Sequence, residues 1–148
     1  MTTIAAYHLS LSFDRPIFSD MTKIESADDI NNYIREIIQV GHINHKEHFW
    51  VLPLTRSNRI LGICEISSGK TDMTCVPIKT LIQLALLSNA TGLVLIHNHP
   101  SGKLQPSKSD IAITERIKKA LDLIDVTVLD HLIITQESFF SFHQNDLL

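Results

Sequence analysis

An α/β or α+β domain built around a mixed β-sheet is the fold class that the sequence predicts. Three observations lead there. Segments with helical spacing alternate with short apolar runs of strand length. The 148 residues suit one domain with a core large enough to fold unaided. Apolar residues at 44% and charged residues at 20% match an ordinary globular protein.

The elements follow in order. Residues 1–25 read as an irregular or strand-like lead-in, and residues 26–148 as the domain. From Ser26 the run SADDINNYIREIIQVG has helical spacing, with Ile30, Tyr33, Ile34, Ile37 and Ile38 on one side. Ser26 and Asp29 suit its N-cap and Gly41 its stop. FWVLPLT (49–55) and RILGICEIS (59–67) read as strands joined around Ser57-Asn58. Pro53 cannot donate to a ladder, so the first of them is expected to be an edge or to bulge there. VPIKTLIQLALLSNA (76–90) is helical, with Pro77 near its first turn. Apolar residues on several of its sides predict a mostly buried helix. LVLIH (93–97) is a short apolar strand suited to the middle of a sheet. PSGKLQPS is a loop, and SKSDIAITERIKKALDLI (107–124) is a helix with Ile113, Ile117, Ala120 and Ile124 toward the core. VTVLDHLIIT and SFFSF supply the last strands.

Composition excludes several classes. No stretch approaches the roughly 18 continuous apolar residues of a membrane span. The amino terminus lacks a basic stretch followed by an apolar block, so no signal peptide is expected. Cys64 and Cys75 have no second pair, which fits a reducing cytoplasm better than a disulfide scaffold. Thirteen basic against sixteen acidic residues give a formal charge of −3. A protein that holds nucleic acid through its phosphates usually carries a basic surplus, so charge does not support a nucleic-acid partner.

The chemistry concentrates in LVLIHNHPSGKLQPSKSD (93–110). His97 and His99, two apart on a strand, share a face while Asn98 points away. Pro106-Ser107 opens the next helix, with Ser107 as N-cap and Asp110 in the first turn. A helix packed back on the strand end can bring Asp110 beside both imidazoles. Two histidines and one carboxylate leave tetrahedral zinc with one open position, as in catalytic sites. Water there is acidified and can attack a carbonyl, given a carboxylate base and donors for the oxyanion. Each half alone says little. Ser-x-x-Asp is a common helix cap, and His-x-His after a strand is a weak ligand signal.

Together they are specific. His-x-His-Pro followed by Ser-x-x-Asp is the signature of the JAMM (JAB/MPN) metalloproteases. HNHPSG with PSKSD, ERIKKALDLIDVTVLDHLII and SFFSF resembles the RadC branch, over roughly residues 25 to 148. The resemblance implies a cytidine-deaminase-like α/β/α domain with Zn2+ on His97, His99 and Asp110. It also implies that Ser107 assists the tetrahedral intermediate, directly or by orienting groups near the water. The family's general base is a glutamate upstream of the histidines. Glu47, in KEHFWVLPL, stands at the matching motif position and is preferred to Glu65, in CEISSG. His131 matches a RadC-like Asp-His pair but reads as a strand-start histidine bonded to its surroundings. His42, His45 and His48 read as solvated, Asn98 and Ser101 as holding the turn or supporting the ligands, and Cys64 and Cys75 as small buried residues. Longer RadC proteins carry an amino-terminal helix-hairpin-helix region, and the 25 residues before the first helix are too few for one.

The functional expectation is a zinc-dependent hydrolase, a metallopeptidase or isopeptidase acting on a protein or peptide substrate. The alternative is a DNA-repair-associated accessory or binding protein with a structural or vestigial zinc site. The letters HNH do not make an HNH nuclease, whose three residues are dispersed over a hairpin and helix. A nucleobase deaminase would need His-x-Glu and Pro-Cys-x-x-Cys, and neither occurs.

Overall fold

The structure is a computed structural model that describes residues 13–38, 40–69 and 76–148, the side chains of residues 40–42 excepted. Among the described residues, Met21 and Ile24 of the lead-in are buried, and Phe18–Asp20 form a single 3-10 turn. Helix α1 (Ala27–Ile37) opens on a capping box. Ser26 Oγ accepts the Asp29 N–H at 3.2 Å, and the Asp29 carboxylate accepts the Ser26 N–H at 2.9 Å. Ile30 and Ile34 are buried as the spacing requires, but Ile37 is exposed. Gly41 is not the stop. The chain turns extended at Ile38, and Gly41 lies within a second short helix, α2 (Val40–His45). Leaving the helix at Ile38 lets Ile38 and Ile43 both enter the core, which outweighs the local preference for a glycine stop.

A five-stranded mixed sheet follows in the order β2-β1-β3-β4-β5. It comprises β1 (Glu47–Leu54), β2 (Cys64–Gly69), β3 (Gly92–Asn98), β4 (Thr127–Ile134) and β5 (Phe139–Ser141). Only β3 and β4 run parallel, joined across helix α4 (Lys108–Asp122); the other pairs are antiparallel. β3 is buried at every residue, as a central strand should be. The predicted strand from residue 59 begins later, at Cys64, because Arg59 and Ile60 make isolated bridges to Lys23 and Leu54 instead. Pro53 sits in a strand with neighbours on both sides, not at an edge. It is tolerated because pairing with β2 ends at Val51, and beyond it the Pro53 carbonyl accepts the Leu61 N–H at 2.8 Å.

Two cores lie on opposite faces of the sheet. One packs Phe49, Val51, Leu93 and Leu95 against Leu81 and Ala85 of α3 (Ile78–Leu87) and Ile113, Ile117 and Leu121 of α4. The other packs Trp50, Leu52, Val94 and Ile96 against Ile30, Ile34, Ile38 and Ile43. The result is an α/β/α sandwich in which each helix has one covered face. For that reason α3 is not mostly buried: Leu86 and Leu87 stand exposed on its outer side. The core face of α4 also differs by one position, with Leu121 buried where Ala120 was expected and Ala120 half-buried.

Two bulges set which side chains face which core. In β2, Ser67 pairs with Phe49 and Glu65 with Trp50, so Ile66 is an extra residue. In β4, Val128 pairs with Leu93 and Asp130 with Val94, so Leu129 is extra. The bulge places Val128 and His131, three apart, on the same face as α4. Gly92 gives it room, since a Cβ there would stand 2.8 Å from Leu129 Cδ1.

Candidate metal centre

The carboxyl end of β3 meets the amino end of α4 on the face those two elements share. His97 and His99 leave the sheet together, and Asn98 points through to the other face. Asp110 lies one turn into α4, its position set by the second capping box. Ser107 Oγ accepts the Asp110 N–H at 3.1 Å, and Asp110 Oδ2 accepts the Ser107 N–H at 2.7 Å. The cap and the ligand reading are therefore compatible at Asp110, because one carboxylate closes the box and faces the imidazoles.

The geometry is that of a ligand set. His97 Nε2 lies 3.0 Å from His99 Nε2 and 3.5 Å from Asp110 Oδ1, while His99 Nε2 lies 3.5 Å from Asp110 Oδ2. Among the described residues these three form the one His/Cys/Asp/Glu group able to hold a metal ion. Ligands about 2.0–2.1 Å from a tetrahedral ion stand about 3.3 Å apart, so the donor set fits a metal of zinc's size. His97 and Asp110 are fully buried, and His99 is partly open to solvent.

Hydrogen bonds orient the ring nitrogens. His99 Nδ1 meets the Lys103 carbonyl at 2.6 Å; a carbonyl only accepts, so Nδ1 carries the proton and Nε2 faces the site. The Pro100–Gly102 turn that brings Lys103 back closes with the Gly102 N–H on the His99 carbonyl at 3.0 Å, and Gly102 supplies the required positive φ of 77°. Burial would lower the His99 pKa, but Asp110, the Lys103 carbonyl and the charge of Glu47 outweigh it and raise it. For Asp110 too, burial is overcome, here by the imidazoles of His97 and His99 at 3.5 Å, so its carboxyl is held well below the usual range. His97 goes the other way. Burial pushes its pKa down despite Asp110, and burial pushes His131 down further.

Glu47 opens β1. Phe49 pairs with His97, so the antiparallel register carried two places on sets Glu47 opposite His99, on the same face. It is half-buried and close enough to raise the His99 pKa. Glu65 is elsewhere. It pairs with Trp50 on the opposite face, where its Oε2 meets His48 Nδ1 at 2.9 Å. The corner before β1 is held by Asn98. Its Oδ1 accepts the His48 N–H at 2.6 Å, and its Nδ2 donates to the Ile43 and Lys46 carbonyls at 2.7 Å each.

His131 is the residue whose partner sequence reasoning missed. It is bonded to its surroundings, as expected, but that partner is a candidate ligand: His131 Nε2 lies 2.7 Å from His97 Nδ1. It sits inside β4 rather than at its start, stacked on Phe142 at 4.6 Å and edge-on to Phe49 at 5.6 Å. Its Nδ1 meets Thr114 Oγ1 at 2.6 Å. The Asp-His pair was the available signal. Of the clustered histidines, His45 is exposed, whereas His48 is buried against Trp50 rather than solvated, and the side chain of His42 lies outside the described residues. Ser101 is exposed in the turn. Cys64 is half-buried and free, and Cys75 lies outside the described residues.

Comparison with known proteins agrees with this geometry. A family model described as "RadC-like JAB domain" matches residues 24–147. The chain belongs to that family. Among relatives, a UPF0758 protein of Flavobacterium johnsoniae is 43% identical over 122 residues, covering 82% of this chain and 52% of the relative. One from Coprothermobacter proteolyticus is 41% identical over 127 residues, covering 85% and 54%. One from Thermotoga maritima is 29% identical over 144 residues, covering 97% and 63%. This RadC-like JAB domain thus spans about half the length of the first two relatives. Among its described residues no helix is long and apolar enough to cross a membrane.

Proposed function

We propose that this RadC-like JAB domain is a zinc-dependent hydrolase of the peptidase or isopeptidase type, cleaving an amide bond in a protein or peptide. The observation that carries the reading is the convergence of His97, His99 and Asp110 at ligand spacing, with Glu47 in register beside them. Zinc held by those three residues would supply Lewis-acid activation of water and of the scissile carbonyl.

The chain's own groups cover the remaining needs of the reaction. Glu47 takes the proton from the attacking water and passes it to the leaving amine, which requires a carboxylate on the ligand face with access to solvent. Ser107 Oγ accepts the Asp110 N–H, so its own hydrogen is free to turn to Ser109 or to the developing oxyanion. Asp110 serves as both ligand and anchor, so the helix start and the site form as one unit. Cysteines at 64 and 75, with no second pair, support a reducing, cytoplasmic setting.

The test begins with elemental analysis of the purified protein and of Asp110→Ala. About one zinc per chain, lost in the variant, supports the site, and a screen of peptide and isopeptide substrates follows. Glu47→Gln should keep the zinc and abolish hydrolysis. Metal absent from the wild type after zinc is added back would reduce Ser107–Asp110 to a helix cap. The DNA-repair accessory reading would then lead, with a steeply salt-dependent electrophoretic shift as its own test.

A further inference from the structure

We infer that Thr114 and His131 form a directed hydrogen-bond chain that fixes the tautomer of His97 and aims its bare Nε2 at the metal position. The inference rests on the metal reading above and adds two positioning residues to it.

The direction is forced from one end. Thr114 Oγ1 donates its single hydrogen to the Asp110 carbonyl at 2.6 Å, because a carbonyl can only accept. The same oxygen lies 2.6 Å from His131 Nδ1, so it must accept there, and Nδ1 carries a proton. His131 is fully buried between Phe49 and Phe142, with no carboxylate of the described residues at hydrogen-bond distance of its ring, so it is neutral and its Nε2 is bare. That nitrogen lies 2.7 Å from His97 Nδ1, which must therefore donate. A neutral His97 then has no hydrogen on Nε2. Reversing the chain would set two lone pairs against each other at Thr114 and place a hydrogen on the nitrogen that should bind metal.

The chain also closes a ring. It starts at the backbone of Asp110 and ends on His97, so two ligands on different elements are tied together through β4. Orienting partners of this kind affect metal affinity roughly 10–100-fold.

The test uses the full chain and three readouts: zinc affinity by chelator competition, the denaturant midpoint of the zinc-free protein, and 15N–1H long-range spectra of the histidine rings. In the zinc-free wild type, His97 should be protonated on Nδ1 and bare on Nε2. His131→Leu should weaken zinc binding roughly 10–100-fold. His131→Gln, which keeps an acceptor toward His97, should recover much of that loss. Thr114→Val, nearly isosteric, should release the tautomer preference even if His131→Leu does not fold. A merely structural role would lower the midpoint of the variants without moving the tautomer or separating Leu from Gln. His97 protonated on Nε2 in the wild type, or wild-type zinc affinity in His131→Leu, would overturn the inference while leaving the metal reading intact. Wild type that binds no zinc would overturn the metal reading, and the spectra would still decide whether the chain runs as inferred.

Discussion

Replacing Asn98 by alanine should be among the most damaging single changes outside the candidate ligands. Asn98 is fully buried and makes three hydrogen bonds, at 2.6, 2.7 and 2.7 Å, to the backbone on either side of Glu47. Asn98→Ala takes the acceptor from the His48 N–H and leaves the Ile43 carbonyl buried without its donor, whereas the Lys46 carbonyl, in a part-buried bond, can turn to water. A buried polar group left unmade costs roughly 1–3 kcal/mol, so the loss should be about 3–5 kcal/mol. Set against a total of about 5–15 kcal/mol, that is a large fraction of the stability. At roughly 2–4 °C per kcal/mol for a chain of this size, Tm should fall by about 6–20 °C. Asn98→Asp separates the contributions. It keeps an acceptor for His48 but loses both donors and sets a carboxylate against two carbonyls, so it should be no better than alanine. The assay is urea unfolding of the zinc-free protein with the slope held as a check on the two-state analysis. A loss below about 1 kcal/mol at unchanged slope would refute the reasoning, because such a loss is no more than that of an ordinary exposed hydrogen bond.

The zinc-free protein should also lose stability as pH falls from 7 toward 5. His97 and His131 have pKa values lowered by burial, so their contribution is present above about 6.5, the ordinary histidine value, and is lost as pH falls toward their folded values. His99 is raised and works in the opposite sense, but fully buried His131, lowered well below the ordinary value, keeps the net loss on the acid side. A urea midpoint that rises between pH 7 and pH 5 would contradict this. Gly102→Ala should cost about 1–2 kcal/mol from backbone strain alone. Its φ is 77° and a Cβ there meets no atom within 4 Å, so the loss should appear in the urea midpoint without any steric rearrangement.

Much of the site was legible because its parts are local. A strand sends residues two apart to one face, and a capping box puts the fourth residue of Ser-x-x-Asp back over the helix start; His97, His99 and Asp110 follow from those two rules. The preference for Glu47 came from motif position, and the register beside β3 then put it on the ligand face and Glu65 on the other. What misled the reading was also local. Gly41 looked like a stop, and the apolar sides of residues 76–90 looked buried. The first gave way to packing of Ile38 and Ile43, the second to a sandwich that covers only one face of each helix.

By itself the sequence determined the fold class, the alternation of elements, and the residue types and spacing of the candidate ligand set. These depend on backbone periodicity and capping, which act over a few residues. Only the tertiary structure decided that His131 touches His97, that Asn98 clamps the corner around Glu47, and that Glu65 faces away. The reason is phase. A strand alternates strictly until a bulge adds a residue, and the extra Leu129 turns His131 toward α4 instead of α1. Whether a strand bulges is settled by packing against neighbours distant in the chain, here β3 with Gly92 beneath Leu129.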